Sequence, residues 1–214
     1  MSSSPPVGAP AGASLADEFL PVYDVSDGVG LVVGAGAGTT WDALMRADLV
    51  EVGRRKPLVG ILGALRGLPE IVSQLVHGER PATPPPSLTL RGMAALPAGD
   101  GAWALLGERP GEEIALGLVG KFWRPVIEFA AVDAGAFADF AEPGYAKTVY
   151  ALSVRALDEH RTLVTGLMRT ATTDEQARRW FRRYWALGVG SGAHVLVAGL
   201  LDVVREDAEA TAGA

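Results

Sequence analysis

Two apolar runs near the end of the chain, Lys147 to Leu157 and Arg161 to Ala171, read as strands joined across Asp158-Glu159-His160. A stretch that short between two such runs is hairpin chemistry. A helix is expected next. Ala177, Trp180, Phe181 and Tyr184 stand at i, i+3, i+4 and i+7, while Arg178, Arg179, Arg182 and Arg183 fill the other side, so the aromatic stripe is expected to face inward. Thr172 with Glu175 and Thr173 with Gln176 both have capping-box spacing at its start. Gly188, Gly190 and Gly192 predict a weakening or bend midway, since glycine costs about 1 kcal/mol relative to alanine inside a helix.

Upstream the pattern is of shorter elements. Residues 1–17 are rich in Ser, Pro, Gly and Ala without periodicity, the composition of a disordered leader, and residues 18–210 are expected to form one domain. Val29 to Val33 reads as a strand, and Thr39-Thr40-Trp41 as a helix start with a threonine cap. From Lys56 to Val76 apolar residues recur at three- and four-residue steps with a break at Pro69, which predicts a helical insertion near residues 54–77. The proline-rich segment from Gly78 to Pro86 is a loop. Ser87–Leu96, Gly101–Glu108, Glu113–Val119 and Pro125–Val132 then read as an antiparallel meander with turns at Pro97-Ala98-Gly99-Asp100 and Arg109-Pro110-Gly111-Glu112. Helices and strands are segregated rather than alternating, which indicates an α+β fold.

Composition narrows the function classes. With 214 residues, 49% of them hydrophobic, the chain is long enough to bury a full core as one domain. A net charge of −6 gives no overall basic footprint for nucleic acid, so no nucleic-acid partner is expected. The absence of cysteine excludes disulfides, thiolate metal sites and cysteine nucleophiles. The N-terminus lacks a positive region followed by an apolar core, so a cytoplasmic location is expected. Leu187 to Leu201 is apolar but short of the ~20 residues that cross a bilayer, so it reads as a buried helix and not as a membrane span.

Three segments carry a resemblance: Gly117-Leu118-Val119-Gly120-Lys121-Phe122-Trp123-Arg124-Pro125, Phe140-Ala141-Glu142-Pro143-Gly144-Tyr145-Ala146-Lys147, and Asp174 to Trp185. Together with the order strand, helix, meander and long C-terminal helix, they resemble an actinobacterial branch of the START/Bet v 1-like (SRPBCC, polyketide cyclase-like) superfamily over roughly Phe19 to Glu209. The resemblance implies a helix-grip fold, a curved antiparallel sheet wrapped around a long C-terminal helix, with an apolar cavity between them. Superfamily members bind lipids, hormones or polyketides, and some catalyse cyclisation, dehydration or hydrolysis, so fold alone does not set the activity. The glycine-rich Gly188 to Gly192 followed by Ala193-His194-Val195-Leu196 is more apolar than the branch pattern.

Candidate residues follow from chemistry. Trp123, Phe129, Tyr145, Tyr150 and Tyr184 offer apolar surface and hydroxyls for lining a cavity, although core packing explains each of them as well. Glu128, between Ile127 and Phe129, is a candidate general base if burial raises its pKa, and strand alternation would equally put it in water. His194 interrupts an apolar helix where a cavity mouth would lie, the second acid/base candidate. Lys121, Arg124, Arg155 and Arg169 would hold a carboxylate if they pointed inward. Gly34-Ala35-Gly36-Ala37-Gly38 between a strand and a helix fails the dinucleotide-loop spacing, since the third glycine position falls on Thr39 or Trp41, and no cofactor is expected. His77, His160 and His194 lack metal-ligand spacing. Neither a nucleophile elbow nor a phosphate-binding loop occurs. Two functions fit: a carrier or sensor of a small apolar molecule, and a cofactor-independent enzyme acting on a polyketide-like or other apolar carbonyl compound. A homodimer is compatible with both.

Overall fold

The structure, a computed structural model, describes residues 13–62, 64, 86–95 and 103–213. Six antiparallel strands form one open sheet: β1 (Val25–Val33), β2 (Ala104–Arg109), β3 (Glu113–Gly120), β4 (Phe129–Ala130), β5 (Ala146–Ala156) and β6 (Thr162–Thr172), in the order β1-β6-β5-β3-β2 with β4 paired to the end of β3. The first strand therefore lies against the last. The β5–β6 hairpin is the backbone of the sheet, in register from Ala146 opposite Thr172 to Ala156 opposite Thr162.

Both faces of the sheet are covered. On one, α1 (Leu15–Phe19) and α5 (Ala134–Phe137) pack over Leu106, Ala115, Val119, Val149 and Ala151. On the other lie α2 (Ala37–Arg46), α3 (Leu49–Arg55) and the C-terminal helix, which runs as α6 (Glu175–Tyr184), a π-helical turn (Trp185–Val189) and α7 (Gly190–Ala212). Leu44 of α2, Leu201 and Val204 of α7, and Val33 and Val164 of the sheet are fully buried together. Gly166 marks the seat of α7, because a Cβ there would lie 2.3 Å from Val197 Cγ1. Only a residue without a side chain lets the helix come this close to the central strands.

Several boundaries differ from the sequence expectation, each for a local reason. Leu15 to Asp17, assigned to the leader, form the first turn of α1, because Ser14 and Asp17 make a reciprocal capping box and the Glu113 carboxylate takes the Leu15 N–H at 2.9 Å. The α2 helix starts at Ala37 with Gly36 as its N-cap, and Thr40 turns its hydroxyl back to the Gly36 carbonyl at 3.0 Å instead of capping. Residues 87–95 form no strand: Thr89 accepts from Gly92 N–H and caps α4 (Leu90–Ala94). Of Pro125–Val132, only Phe129 and Ala130 pair with β3. Asp174, not Thr172 or Thr173, caps α6, accepting from Ala177 N–H at 2.8 Å. The expected insertion appears as the end of α3 and helical residues 57–62 and 64, while residues 63 and 65–77, with His77 and residues 78–85 of the loop, lie outside the described residues. The expected bend falls at Gly188, whose φ of 93° only glycine adopts without strain.

Candidate functional site

The period-two alternation of β1 aims Val25, Asp27, Val29 and Leu31 at the C-terminal helix, since Val29 is the register partner of Gly166. Asp27 is the charged residue in this apolar set. Its carboxylate lies 3.0 Å from His194 Nδ1, across the gap between the sheet edge and α7. A carboxylate at Nδ1 fixes the imidazole orientation and leaves Nε2 as the free ring nitrogen.

Beside this pair the helix stands away from the sheet. Two adjoining grooves open there, of about 490 Å³ and 590 Å³, and both are walled by Trp185 and Ala186. Ser26, Asp27, Ser191, His194 and Val195 line the first, and Asp24, Val25, Arg178 and Arg182 the second. The π turn makes this space. Gly188 reverses the backbone locally, and Gly190 lets the Trp185 indole fold back, since a Cβ on Gly190 would lie 2.6 Å from that ring.

Inward from Asp27, one strand beyond Met168, comes Tyr150, because Met168 is the register partner of both. Two inter-strand spacings put Asp27 and Tyr150 roughly 10 Å apart. Tyr150 sits in β5 with a strand on either side, its ring edge-on to Trp103 at 5.5 Å, yet it keeps part of its surface accessible. Burial first, then the proximity of Tyr184 and Asp27, pushes its phenol up to about 12. No described residue takes its hydroxyl in a hydrogen bond.

The other cavity candidates divide. Trp123, Phe129 and Tyr184 converge with Trp185 on Phe122 and Phe181 at one end of the same face. Tyr145 belongs to the opposite face, in the cluster under α1 and α5, and its hydroxyl donates to Glu128 at 3.2 Å. Glu128 is the clearest correction. It is exposed, 2.5 Å from Lys121 and 3.5 Å from Arg124, and the Lys121 hydrogen bond holds its carboxyl below the ordinary range, the reverse of what a buried general base needs. Trp180 points outward, 48% exposed, while Ala177 and Phe181 carry the buried stripe. Arg169 faces away from the helix layer and pairs with Asp17 at 2.7 Å. Arg155 and His160 are exposed. The Gly34–Gly38 segment is a strand-to-helix turn whose Gly34 N–H donates to Glu209 of α7 at 2.8 Å.

Asp27 and Trp185 were not singled out from the sequence, although a lone carboxylate on the apolar phase of β1 is a readable signal. Among the described residues no group of three or more His, Asp or Glu side chains is placed to hold a metal ion. No family model matches the sequence, and no curated protein is similar to it. Among solved structures, a conserved protein from Geobacillus kaustophilus is similar at 12% identity and a TM-score of 0.38, over 87% of this chain and 97% of that one.

Proposed function

We propose that the protein binds a small apolar molecule between its sheet and its C-terminal helix, as a cytoplasmic carrier or sensor of START-like, helix-grip type. The observation that carries this reading is Tyr150. A tyrosine in an interior strand, facing a covering helix, with accessible surface and no hydrogen-bond partner for its hydroxyl among the described residues, is a polar group left for a ligand. The grooves beside Trp185 and Val195 fall in the 300–1,000 Å³ range typical of ligand sites. The antiparallel sheet with its first and last strands adjacent, crossed by a long final helix, supports the helix-grip assignment. The test is native mass spectrometry of wild type and Tyr150→Phe, followed by identification of whatever co-purifies. A retained apolar compound that dissociates more readily from the variant supports the reading, and equal retention by both removes Tyr150 from it.

The Asp27–His194 pair favours a second reading, an enzyme acting on an apolar carbonyl compound. His194 Nε2 would take a proton alpha to the carbonyl while the Tyr150 hydroxyl donates to its oxygen. Loss of turnover in Asp27→Asn with ligand retention unchanged would favour this reading, and equal turnover in the two proteins would remove it.

A further inference from the structure

The chain carries a net charge of −6, yet α6 holds Arg178, Arg179, Arg182 and Arg183 against the single acid Glu175. Arg178 is spoken for, bridging Asp24 at 2.7 Å and Glu175 at 3.2 Å. Arg179, Arg182 and Arg183 are exposed, and among the described residues none has a carboxylate at salt-bridge distance. Arg183 stacks over the ring of Trp180 at 5.3 Å.

Exposed apolar side chains share this end of the molecule. Leu187, just past α6, is 84% exposed, and Trp180 is 48% exposed. Phe122, Trp123 and Ile127 pack with Phe181, Tyr184 and Trp185, which brings the β3–β4 loop alongside α6 and with it Arg124 and the 38%-exposed Val126.

We infer that this end of the protein, α6 with Leu187 and the β3–β4 loop, is a docking surface for an anionic lipid bilayer, on which the helix lies without crossing. Arginines with no carboxylate at salt-bridge distance among the described residues meet lipid phosphates, and Trp180, Leu187 and Val126 enter the boundary between headgroups and acyl chains. Nucleic acid would use the arginines and Trp180 but would gain nothing from Leu187 and Val126. The inference does not rest on the ligand-binding reading, since vesicle sedimentation and ligand retention are separate readouts.

The experiment is co-sedimentation of the full chain with vesicles of phosphatidylcholine alone or mixed with phosphatidylglycerol. Binding is expected to the mixed vesicles, weakened by salt. Each arginine near an anionic surface contributes about fivefold in affinity, so Arg179→Gln/Arg182→Gln/Arg183→Gln is expected to lose tenfold or more. Trp180→Ala/Leu187→Ala is expected to weaken binding while the salt dependence remains. Circular dichroism checks that both variants keep the wild-type fold. Equal binding to both vesicle types, binding indifferent to the arginine substitutions, preference for a single-stranded oligonucleotide over vesicles, or resistance to alkaline extraction would each overturn the inference.

Discussion

Gly166→Ala tests where the C-terminal helix sits. A methyl group there would lie 2.3 Å from Val197 Cγ1 and 3.2 Å from Leu152 Cδ2. Carbon atoms in contact stand ~3.5–4.0 Å apart, so the helix must retreat by about 1 Å. Two effects compete. Replacing a strand glycine removes an entropic penalty of roughly 0.5–1 kcal/mol, while overpacking costs about 1–3 kcal/mol. The clash is with a branched side chain on a helix anchored by Leu201 and Val204, so the cost should win. Val197→Ala removes the offending methyl and leaves Val197 Cβ at 3.8 Å, an ordinary contact. Urea unfolding of both single variants and the double variant completes the cycle. Gly166→Ala alone is expected to lose about 1–2 kcal/mol, and the double variant no more than Val197→Ala alone. Strict additivity would refute the seating of α7 on Gly166.

Two further outcomes concern buried charge and backbone conformation. Burial raises the Glu113 carboxyl above its ordinary range, so the native state binds the proton more tightly, and the stability this contributes is present below the ordinary glutamate range and lost as pH rises through the raised value. Glu113→Gln, which keeps an acceptor for Leu15 N–H, is expected to gain stability relative to wild type with rising pH, while Glu113→Leu leaves that N–H orphaned at a cost of about 1–3 kcal/mol; urea unfolding across pH checks both. Gly188→Ala forces a side chain onto a φ of 93° and is expected to cost about 1–2 kcal/mol unless the π turn rewinds, which thermal unfolding with circular dichroism separates.

The long-range skeleton of the fold was readable wherever one period ran for two or more turns or pleats. β5, β6 and α6 are such segments: the hairpin appears where the alternation puts it, and the stripe holds at Ala177 and Phe181 while Trp180 points outward. Short segments failed because a single side-chain hydrogen bond decides them. Thr89 on Gly92 N–H turns a strand-like run into α4, and Ser14 with Asp17 organises what composition assigns to a leader. The site divides in the same way. His194 was visible as a polar break in an apolar run and Tyr150 as an aromatic with a hydroxyl, while Asp27 lies in the part of β1 that precedes the strand read at Val29 to Val33. Glu128 sits between apolar neighbours too, but it lies in a loop that turns it onto Lys121, and alternation has no meaning outside a ladder. Tyr145 takes the core-packing alternative, since it joins the buried cluster under α1 and α5.

The most direct test of the ligand-binding reading is native mass spectrometry of the freshly purified protein beside Val195→Trp, whose added ring occupies the groove between Trp185 and His194. The expected result is a stoichiometric apolar compound on the wild type, lost or much reduced on a variant whose circular dichroism is unchanged. A compound retained equally by both proteins would place binding elsewhere, and a wild type that neither carries a compound nor takes up a medium-chain fatty acid as probe would contradict the apolar-ligand reading.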